Sequence, residues 1–330
     1  MSGDSEAGAD LGARLRDGDL TAAPAVLNLV ESRSPEARTQ TEALLAALSP
    51  ATLGAEASAH IVGVTGPPGV GKSSLLSRLV AEWRARELSV AVLAVDPSSR
   101  RSGGSLLGDR ARIEADPRDG AIFIRSTAAG DRLGGLAPAT RAAAGALAAA
   151  FDVVVIETVG VGQSETEVAD VADTVAVVVQ PGSGDVLQFL KAGIMEVPDV
   201  LVVTKADLGR VAMRALADLR SALRSLGARD TAVVAVSSVA PASGIGKLVD
   251  ALDAHRGRLD IATRRLRSRR LHALADFATE HGQRGLRALG GRREAERWLG
   301  SQDPALDAGT LERALEHRAR SAEPPGSGTI

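Results

Sequence analysis

The stretch Ile61-Val62-Gly63-Val64-Thr65-Gly66-Pro67-Pro68-Gly69-Val70-Gly71-Lys72-Ser73-Ser74 decides the fold of this chain. Its first five residues form a short, β-branched apolar run of the kind that makes a buried strand. After it, Leu75, Leu79 and Trp83 recur with the spacing of one helix face. Between strand and helix stands the pattern G-x-x-x-x-G-K-[S/T], which in this context is a phosphate-binding loop. The sequence therefore predicts a P-loop at residues 66–74.

The residue types of this loop suit a polyphosphate. Glycines allow consecutive backbone N–H groups to converge on one phosphate, and the following helix adds the positive end of its dipole. Lys72 is expected to bridge the β- and γ-phosphates and so to act in catalysis, and the Ser73 hydroxyl is expected to bind Mg²⁺. The predicted phosphate-contacting residues are Gly66, Pro67, Pro68, Gly69, Val70, Gly71, Lys72, Ser73 and Ser74.

Outward from the loop, short apolar runs alternate with amphipathic stretches. The predicted strands are residues 61–65, 90–95, 121–124, 153–156, 174–179, 200–203 and 232–236. Strands buried on both faces and separated by helical spacers predict an α/β fold with a mostly parallel, doubly wound sheet. We expect the P-loop NTPase domain at 59–258, an N-terminal helical extension at 1–58, and a C-terminal helical arm at 259–330 with a disordered tail.

Composition excludes several functions. The 330 residues carry 39 basic and 41 acidic side chains, and aromatic residues make up only 2%, so neither a basic field nor stacking platforms favour nucleic-acid binding. The absence of Cys excludes disulfides and thiolate metal sites. No apolar run approaches the roughly 18 residues that span a bilayer, and the Met-Ser-Gly-Asp-Ser-Glu start does not resemble a signal peptide. A cytoplasmic protein without membrane partners is expected.

Lysine is rare in this chain. Only four of the 39 basic residues are Lys: Lys72, Lys191, Lys205 and Lys247. An ammonium is a compact point charge that fits where a guanidinium fork cannot. We therefore ask of each Lys why Arg would not serve there.

A second motif, Thr204-Lys205-Ala206-Asp207, follows the predicted strand at 200–203. A carboxylate at Asp207 can accept both the ring N–H and the exocyclic amine of guanine, whereas adenine presents an acceptor at that ring position. Lys205 is expected to pack its stem across the base. The usual first residue of this signature is Asn, and here it is Thr204, as in some signal-recognition GTPases. The motif predicts guanine as the base.

The third candidate segment is the strand at 153–156, which delivers Glu157 to its carboxyl end, where ligands lie in open α/β sheets. In P-loop NTPases an acid at this place helps to hold Mg²⁺, and a following glycine can donate its N–H to the γ-phosphate. Glu157 and Gly160 are therefore candidates for these roles. Gln163 is a weaker candidate for orienting the attacking water, because Val161 stands where fast GTPases carry Gln.

Several segments together resemble the ArgK/MeaB GTPases, the chaperones of adenosylcobalamin-dependent methylmalonyl-CoA mutase and its relatives. The similar segments are residues 94–99, 102–109, 123–125, 157–165 and 180–185, read as AVDPSS, SGGSLLGD, FIR, ETVGVGQSE and QPGSGD. The resemblance covers residues 55–260. It implies a Mg²⁺-dependent GTPase that gates cofactor loading or protection of such a mutase.

Residue by residue, the resemblance implies a Mg²⁺ site formed by Asp96, Asp109 and Glu157 with Ser73. It also implies a first switch at 109–113, a second at 157–165 and a third at 180–191 that senses the mutase. The loop expected to close over guanine is Ser237, Ser238 and Val239, where relatives usually have Ala in place of Ser238. The Ala111 region departs from a Lys-Thr-Arg-Met run that relatives often show. Relatives dimerise through C-terminal helices, so a homodimer through residues 260–318 is expected.

Other functions stay open beside this one. A small-molecule or transport-linked kinase could use the same P-loop, but it would need an acceptor pocket and gains nothing from residues 204–207. A metallochaperone GTPase would need a Cys or His cluster, and the five His residues show no ligand spacing. A signal-recognition particle component is disfavoured by three Met and by the lack of a basic RNA-binding segment.

The segment after residue 259 is rich in arginine. Five Arg residues fall between 264 and 270, with leucines near one helical face among them. We expect a solvated amphipathic helix that packs on the core or on a second subunit, and a polyanion-binding patch is the alternative.

Overall fold

A computed structural model describes residues 3–96, 113–128, 136–158, 164–182 and 198–322. The chain divides into two compact units, one formed by residues 58–259 and the other by residues 1–57 together with 260–330. We call them the sheet unit and the helical unit. The helices that precede the sheet unit in the sequence thus belong to the same unit as the helices that follow it. Among the described helices, none has both the length and the apolar character needed to cross a membrane.

The elements are as follows. The strands are β1 (His60–Thr65), β2 (Val90–Asp96), β3 (Ile122–Ala128), β4 (Val153–Thr158), β5 (Thr174–Val179), β6 (Val200–Val203) and β7 (Ala232–Ala235). The helices are α1 (Gly3–Arg16), α2 (Ala23–Glu31), α3 (Pro35–Ala47), α4 (Pro50–Leu53), α5 (Lys72–Ala85), α6 (Pro138–Leu147), α7 (Ser164–Val171), α8 (Arg210–Ser225), α9 (Ile245–Arg256), α10 (Ile261–Ala288), α11 (Arg292–Gly300) and α12 (Ala308–Ala322).

The sheet unit is built on a sheet whose described strands run in the order β3-β2-β4-β1-β5-β6-β7, all pairs parallel. The predicted α/β P-loop architecture is confirmed, and each predicted strand is present. The strand predicted at 121–124 is longer than expected and runs to Ala128. Because every strand points the same way, all carboxyl ends lie along one edge of the sheet.

The core follows the two-residue period of the strands. On one face, alternate residues such as Val62 and Val64 of β1 and Val200 and Val202 of β6 pack with apolar residues of α5 and α9, and Trp83 is the largest of these buried side chains. On β1, Gly63 faces α7, and a Cβ there would come 2.8 Å from Val168 Cγ2. Described helices therefore pack on both faces of the sheet, which places its polar chemistry at the edges.

A chain of hydrogen bonds occupies the amino edge of the sheet, opposite the predicted nucleotide site. Thr174 Oγ1 lies 2.9 Å from His60 Nε2 and 2.9 Å from His255 Nδ1. The other nitrogen of His255 lies 3.2 Å from Asp199 Oδ1. His60 is 3% exposed, so these partners satisfy a ring that water does not reach. These contacts give His60 and His255 a structural role at the amino edge.

Three arginines at the start of α10 bind protein groups instead of lying in solvent, whereas Arg267 is exposed as expected. Arg265 is buried and donates to Ala57 O at 2.6 Å. Arg269 forms a bidentate pair with Glu56 at 2.8 and 2.9 Å, and Arg270 donates to Gly300 O. These three guanidinium groups bind other parts of the helical unit. They therefore do not form a free polyanion patch.

Acidic side chains crowd one place in the helical unit. Burial, followed by the charges of Asp276, Glu280, Glu316 and Glu42, raises the pKa of Glu312 to about 7. Such a carboxyl favours its neutral form in the folded chain. The folded chain therefore holds the proton of Glu312 more tightly than the unfolded chain does, and this proton contributes to the stability of the fold. Its contribution is complete below the ordinary pKa of 4.5 and is lost as the pH rises through about 7.

Replacing Glu312 by Gln is expected to stabilise the protein more at pH 8 than at pH 5, because the amide cannot ionise. After allowance for solvent screening, the gain in unfolding free energy at pH 8 is about 1 kcal/mol. Urea unfolding at the two pH values measures it. Glu296→Gln, at an exposed residue paired with Arg292, serves as the control and should give no pH-dependent gain. An equal effect of Glu312→Gln at both pH values would contradict the assignment.

Candidate functional site

The P-loop joins β1 to α5 at the carboxyl edge of the sheet. A Cβ on Gly66 would lie 2.1 Å from Val178 O of β5, so only glycine lets the chain turn over the neighbouring strand here. Gly69 and Gly71 have φ values of 79° and 96°, in the region that favours glycine. The helix begins at Lys72. The described loop therefore has the backbone turn and the helix N-terminus that phosphate binding requires.

Lys72 curls over the loop that precedes it. Its side chain is 7% exposed, and its Nζ donates to Gly66 O at 2.7 Å and to Pro67 O at 3.1 Å. The ammonium therefore lies against the backbone of the loop. This arrangement suits an ammonium that exchanges carbonyl contacts for phosphate contacts.

A hydroxyl and a carboxylate meet beside the loop. Ser73 Oγ lies 3.5 Å from Glu157 Oε1, and Glu157 is 5% exposed. Glu157 lies near the end of β4 and is in register with Val64 of β1, so the parallel pairing brings it beside the first turn of α5. A hydroxyl and a carboxylate oxygen are hard ligands of the kind that Mg²⁺ takes. These two residues fit a magnesium site.

The guanine motif follows β6 at the same edge. Thr204 is buried, and its Oγ1 lies 2.7 Å from Val70 O and 3.0 Å from Val179 O. Val179 O also accepts the Thr204 N–H at 2.8 Å, so the hydroxyl proton is best donated to Val70 O. This bond joins the end of β6 to the P-loop. Thr204 thus acts here as a link between the two motifs.

A hydrogen bond from a neighbouring loop holds the carboxylate of Asp207. Asp207 lies in a 3₁₀ turn (Ala206–Leu208) and is exposed. Its Oδ1 accepts a hydrogen bond from Ser237 Oγ at 2.8 Å, and the same Ser237 Oγ accepts from Val239 N at 3.3 Å. The loop predicted to close over guanine therefore contacts the predicted base-reading carboxylate.

Two further contacts were not indicated by any motif. Arg78, on α5, donates to Ser238 O at 3.0 Å, which ties the guanine loop to the helix that starts in the P-loop. Lys205 Nζ donates to Gln180 Oε1, beyond the end of β5. Neither contact has a signal in the sequence, because each joins residues far apart in the chain.

The described residues do not include every predicted site residue. Asp109, Gly160 and Gln163 lie outside the described residues, as do large parts of the three expected switch segments. Asp96 ends β2, and its side chain is not described. The roles of these four residues in Mg²⁺ binding, γ-phosphate sensing and water orientation stay predictions. The described part of the site contains the P-loop, Glu157, the Thr204–Asp207 motif and the Ser237–Val239 loop.

The fold and this edge define a P-loop nucleotide-binding protein with a guanine motif. A family model described as methylmalonyl-CoA mutase-associated GTPase MeaB matches residues 23–284. The chain belongs to this family of GTPases, which confirms the resemblance seen in the sequence and identifies the protein as an enzyme that hydrolyses GTP.

Relatives and solved structures agree with this placement. A Pyrococcus abyssi protein named as a GTPase is 42% identical over 264 residues, which are 78% of each chain. A mitochondrial methylmalonic aciduria type A homolog of Caenorhabditis elegans is 40% identical over 228 residues, 65% of this chain and 56% of its own length. The crystal structure of a protein described as an LAO/AO transport system kinase has a TM-score of 0.65 and 29% identity, with 96% of this chain and 98% of that chain covered.

Replacing Thr204 by Val tests the link between the two motifs. The substitution keeps the shape and removes the hydroxyl, so Val70 O loses its 2.7 Å donor. We expect about 1–3 kcal/mol lower unfolding free energy and about tenfold weaker GDP binding. Calorimetric titration and urea unfolding measure both. Thr204→Ser keeps the hydroxyl and is the matched control; equal GDP affinity of the Val and Ser variants would contradict the role assigned to Thr204.

Proposed function

We propose that this protein is a Mg²⁺-dependent GTP switch that gates the loading or protection of the cofactor of an adenosylcobalamin-dependent acyl-CoA mutase of the methylmalonyl-CoA type. The observation that carries the proposal is the convergence of the P-loop and the Thr204–Asp207 motif at one sheet edge, joined by the Thr204–Val70 hydrogen bond. The mutase partner is supported by the family to which the chain belongs and by the name of the nematode relative.

The triphosphate is held by the loop and its helix. Backbone N–H groups of residues 66–74 and the dipole of α5 supply positive potential without burying further side-chain charge. Lys72 starts from its contacts with Gly66 O and Pro67 O and donates instead to the β- and γ-phosphates. The ammonium then neutralises charge as the terminal phosphoryl group leaves.

Magnesium would be held by Ser73 and Glu157, with Asp96 and Asp109 added by the family resemblance. When bound, the ion would offset the negative charge that develops on the phosphate oxygens. Ser73 and Glu157 are already within 3.5 Å of each other, so little rearrangement is needed to bring their oxygens to one centre. Gly160 as γ-phosphate sensor and Gln163 as the residue that orients water belong to the same proposal.

Guanine is read by Asp207. Ser237 fixes one oxygen of this carboxylate, which orients the group before a base arrives and lowers the cost of ordering it on binding. Two donors of guanine, its ring N–H and its exocyclic amine, then meet an ionised acceptor. Because charge-assisted hydrogen bonds are the stronger kind, this pair supplies most of the preference for guanine over adenine.

Switching follows from unequal partner affinity. The GTP and GDP states would differ in the segments 109–113, 157–165 and 180–191. A mutase that binds these states unequally changes, and is changed by, the state of the nucleotide. Slow intrinsic turnover that a partner accelerates fits the absence of Gln at position 161. A homodimer through residues 260–318 is part of the proposal, and the cytoplasmic location stays a prediction.

A kinase is the second candidate, because the similar crystal structure is described as a transport system kinase. Such an enzyme would transfer the terminal phosphoryl group to a small acceptor instead of to water. The two functions differ in their products, and both use the same P-loop.

Asp207→Asn is expected to weaken GDP binding by roughly 30- to 1000-fold, since about 2–4 kcal/mol of charge-assisted hydrogen bonding is lost. Xanthosine diphosphate carries a carbonyl in place of the exocyclic amine, so the Asn amide can donate to it and its affinity should rise. Calorimetric titration with GDP, XDP and ADP measures the ranking. Asp218→Asn removes the same charge from an exposed residue of α8 and should change nothing. An unchanged preference for GDP in Asp207→Asn would show that another residue reads the base.

Turnover measurements separate the functions. We expect Mg²⁺-dependent release of inorganic phosphate from GTP that rises severalfold when an adenosylcobalamin-dependent methylmalonyl-CoA mutase is added. Lys72→Ala should abolish it, because the γ-phosphate loses its main cation. Release that the mutase does not change argues against the chaperone role, and radiolabel from the γ-phosphate on a small acceptor supports the kinase. Absence of any heat on titration with GDP and GTP would exclude a guanine-nucleotide switch altogether.

A further inference from the structure

The end of β5 lies between the two halves of the site. In the sheet, β5 is the neighbour of both β1, which leads into the P-loop, and β6, which leads into the guanine motif. Gln180 is the first residue after β5. It therefore stands at the boundary between the phosphate side and the base side, in line with Thr204 across the paired strands, since Val179 is in register with Val203.

Gln180 has a specific partner at this boundary. Its Oε1 accepts a hydrogen bond from Lys205 Nζ. The backbone of Lys205 is in the left-handed region, with φ 55°, a conformation that costs energy in a residue with a side chain and is often found at functional sites. The following residue is fixed by the bond from Ala206 N to Val236 O at 3.0 Å. Both ends of the exposed Lys205 side chain are thus constrained.

This constraint matters because Lys205 is the residue expected to cover the base. A free, exposed lysine carries much rotamer entropy, which is lost when its stem is held against a ligand. A side chain that is already held loses less on binding, and the affinity rises accordingly. A neutral amide oxygen serves well here, since it accepts from the ammonium and adds no negative charge beside a nucleotide.

We propose that Gln180 is a positioning residue for guanine-nucleotide binding. It anchors the ammonium of Lys205 so that the apolar stem of this lysine forms one wall of the base site before the nucleotide arrives. This inference rests on the proposed guanine site and adds to it a residue outside the P-loop and outside the Thr204–Asp207 motif. Gln180 does not read the base edge, so its contribution is the same for any purine that Asp207 accepts.

The test is calorimetric titration of the full chain with GDP and with inosine diphosphate, which lacks the exocyclic amine. Gln180→Ala is expected to weaken both by about 3- to 10-fold and to leave their ratio as in the parent. A substitution that disturbed the contact of Asp207 with the base would instead change the ratio of the two affinities. Gln283→Ala makes the same chemical change at an exposed residue of the helical unit and should leave both affinities unchanged.

A double-mutant cycle shows whether Gln180 acts through Lys205. Lys205→Met keeps an apolar stem and removes the ammonium, so adding Gln180→Ala to it should have no further effect on GDP affinity. Thermal unfolding of each variant checks that the fold is intact. Parent-like affinity of Gln180→Ala, or an equal loss in the Lys205→Met background, would overturn the inference. Failure of the parent itself to bind GDP would instead overturn the proposed function.

Discussion

One buried hydrogen bond, from the Thr204 hydroxyl to Val70 O, joins the two motifs on which the site depends. The P-loop, proposed to bind the phosphates, follows β1, and the motif proposed to bind the base follows β6, with β5 between the two strands. Two halves on separate strands can be occupied by one ligand only if their spacing is fixed. The parallel sheet fixes it coarsely through strand register, and this bond fixes it at the level of single atoms. A second link is the hydrogen bond from Arg78 of α5 to Ser238 O, which joins the Ser237–Val239 loop to the helix that follows the P-loop.

This arrangement explains why Thr can stand where the guanine signature usually has Asn. The position needs a donor that reaches a P-loop carbonyl from the end of a buried strand, and a hydroxyl with a β-branched stem supplies it without leaving the strand conformation. The side chain is 3% exposed, so the polar group would be costly without this acceptor. The change of residue type therefore keeps the link, and in the proposed function the preference for guanine comes from Asp207, whose carboxylate Ser237 supports.

The sequence predicted the sheet and the two motifs because their signals are local. A β-branched run makes a strand wherever it lies, and glycine at positions 66, 69 and 71 reports a backbone that other residues adopt poorly. The contacts of Gln180, Arg78 and Arg265 could not be predicted, because each joins the residue to a partner 25 or more residues away that no sequence pattern indicates. An arginine that caps a distant carbonyl looks, in sequence, like an arginine in solvent.

The use of lysine and arginine follows the same geometry. At residue 72 two carbonyl oxygens of the preceding loop lie within 3.1 Å of one nitrogen, and a compact ammonium can turn from them to phosphate oxygens without changing the loop. A guanidinium spreads its donors over a rigid plane and would need a wider opening. In the helical unit the demand is the opposite: Arg269 uses two donors on the two oxygens of Glu56, which one ammonium cannot match. Lys72 thus places a compact charge where it can pass from carbonyl to phosphate acceptors, whereas Arg269 holds two carboxylate oxygens at once.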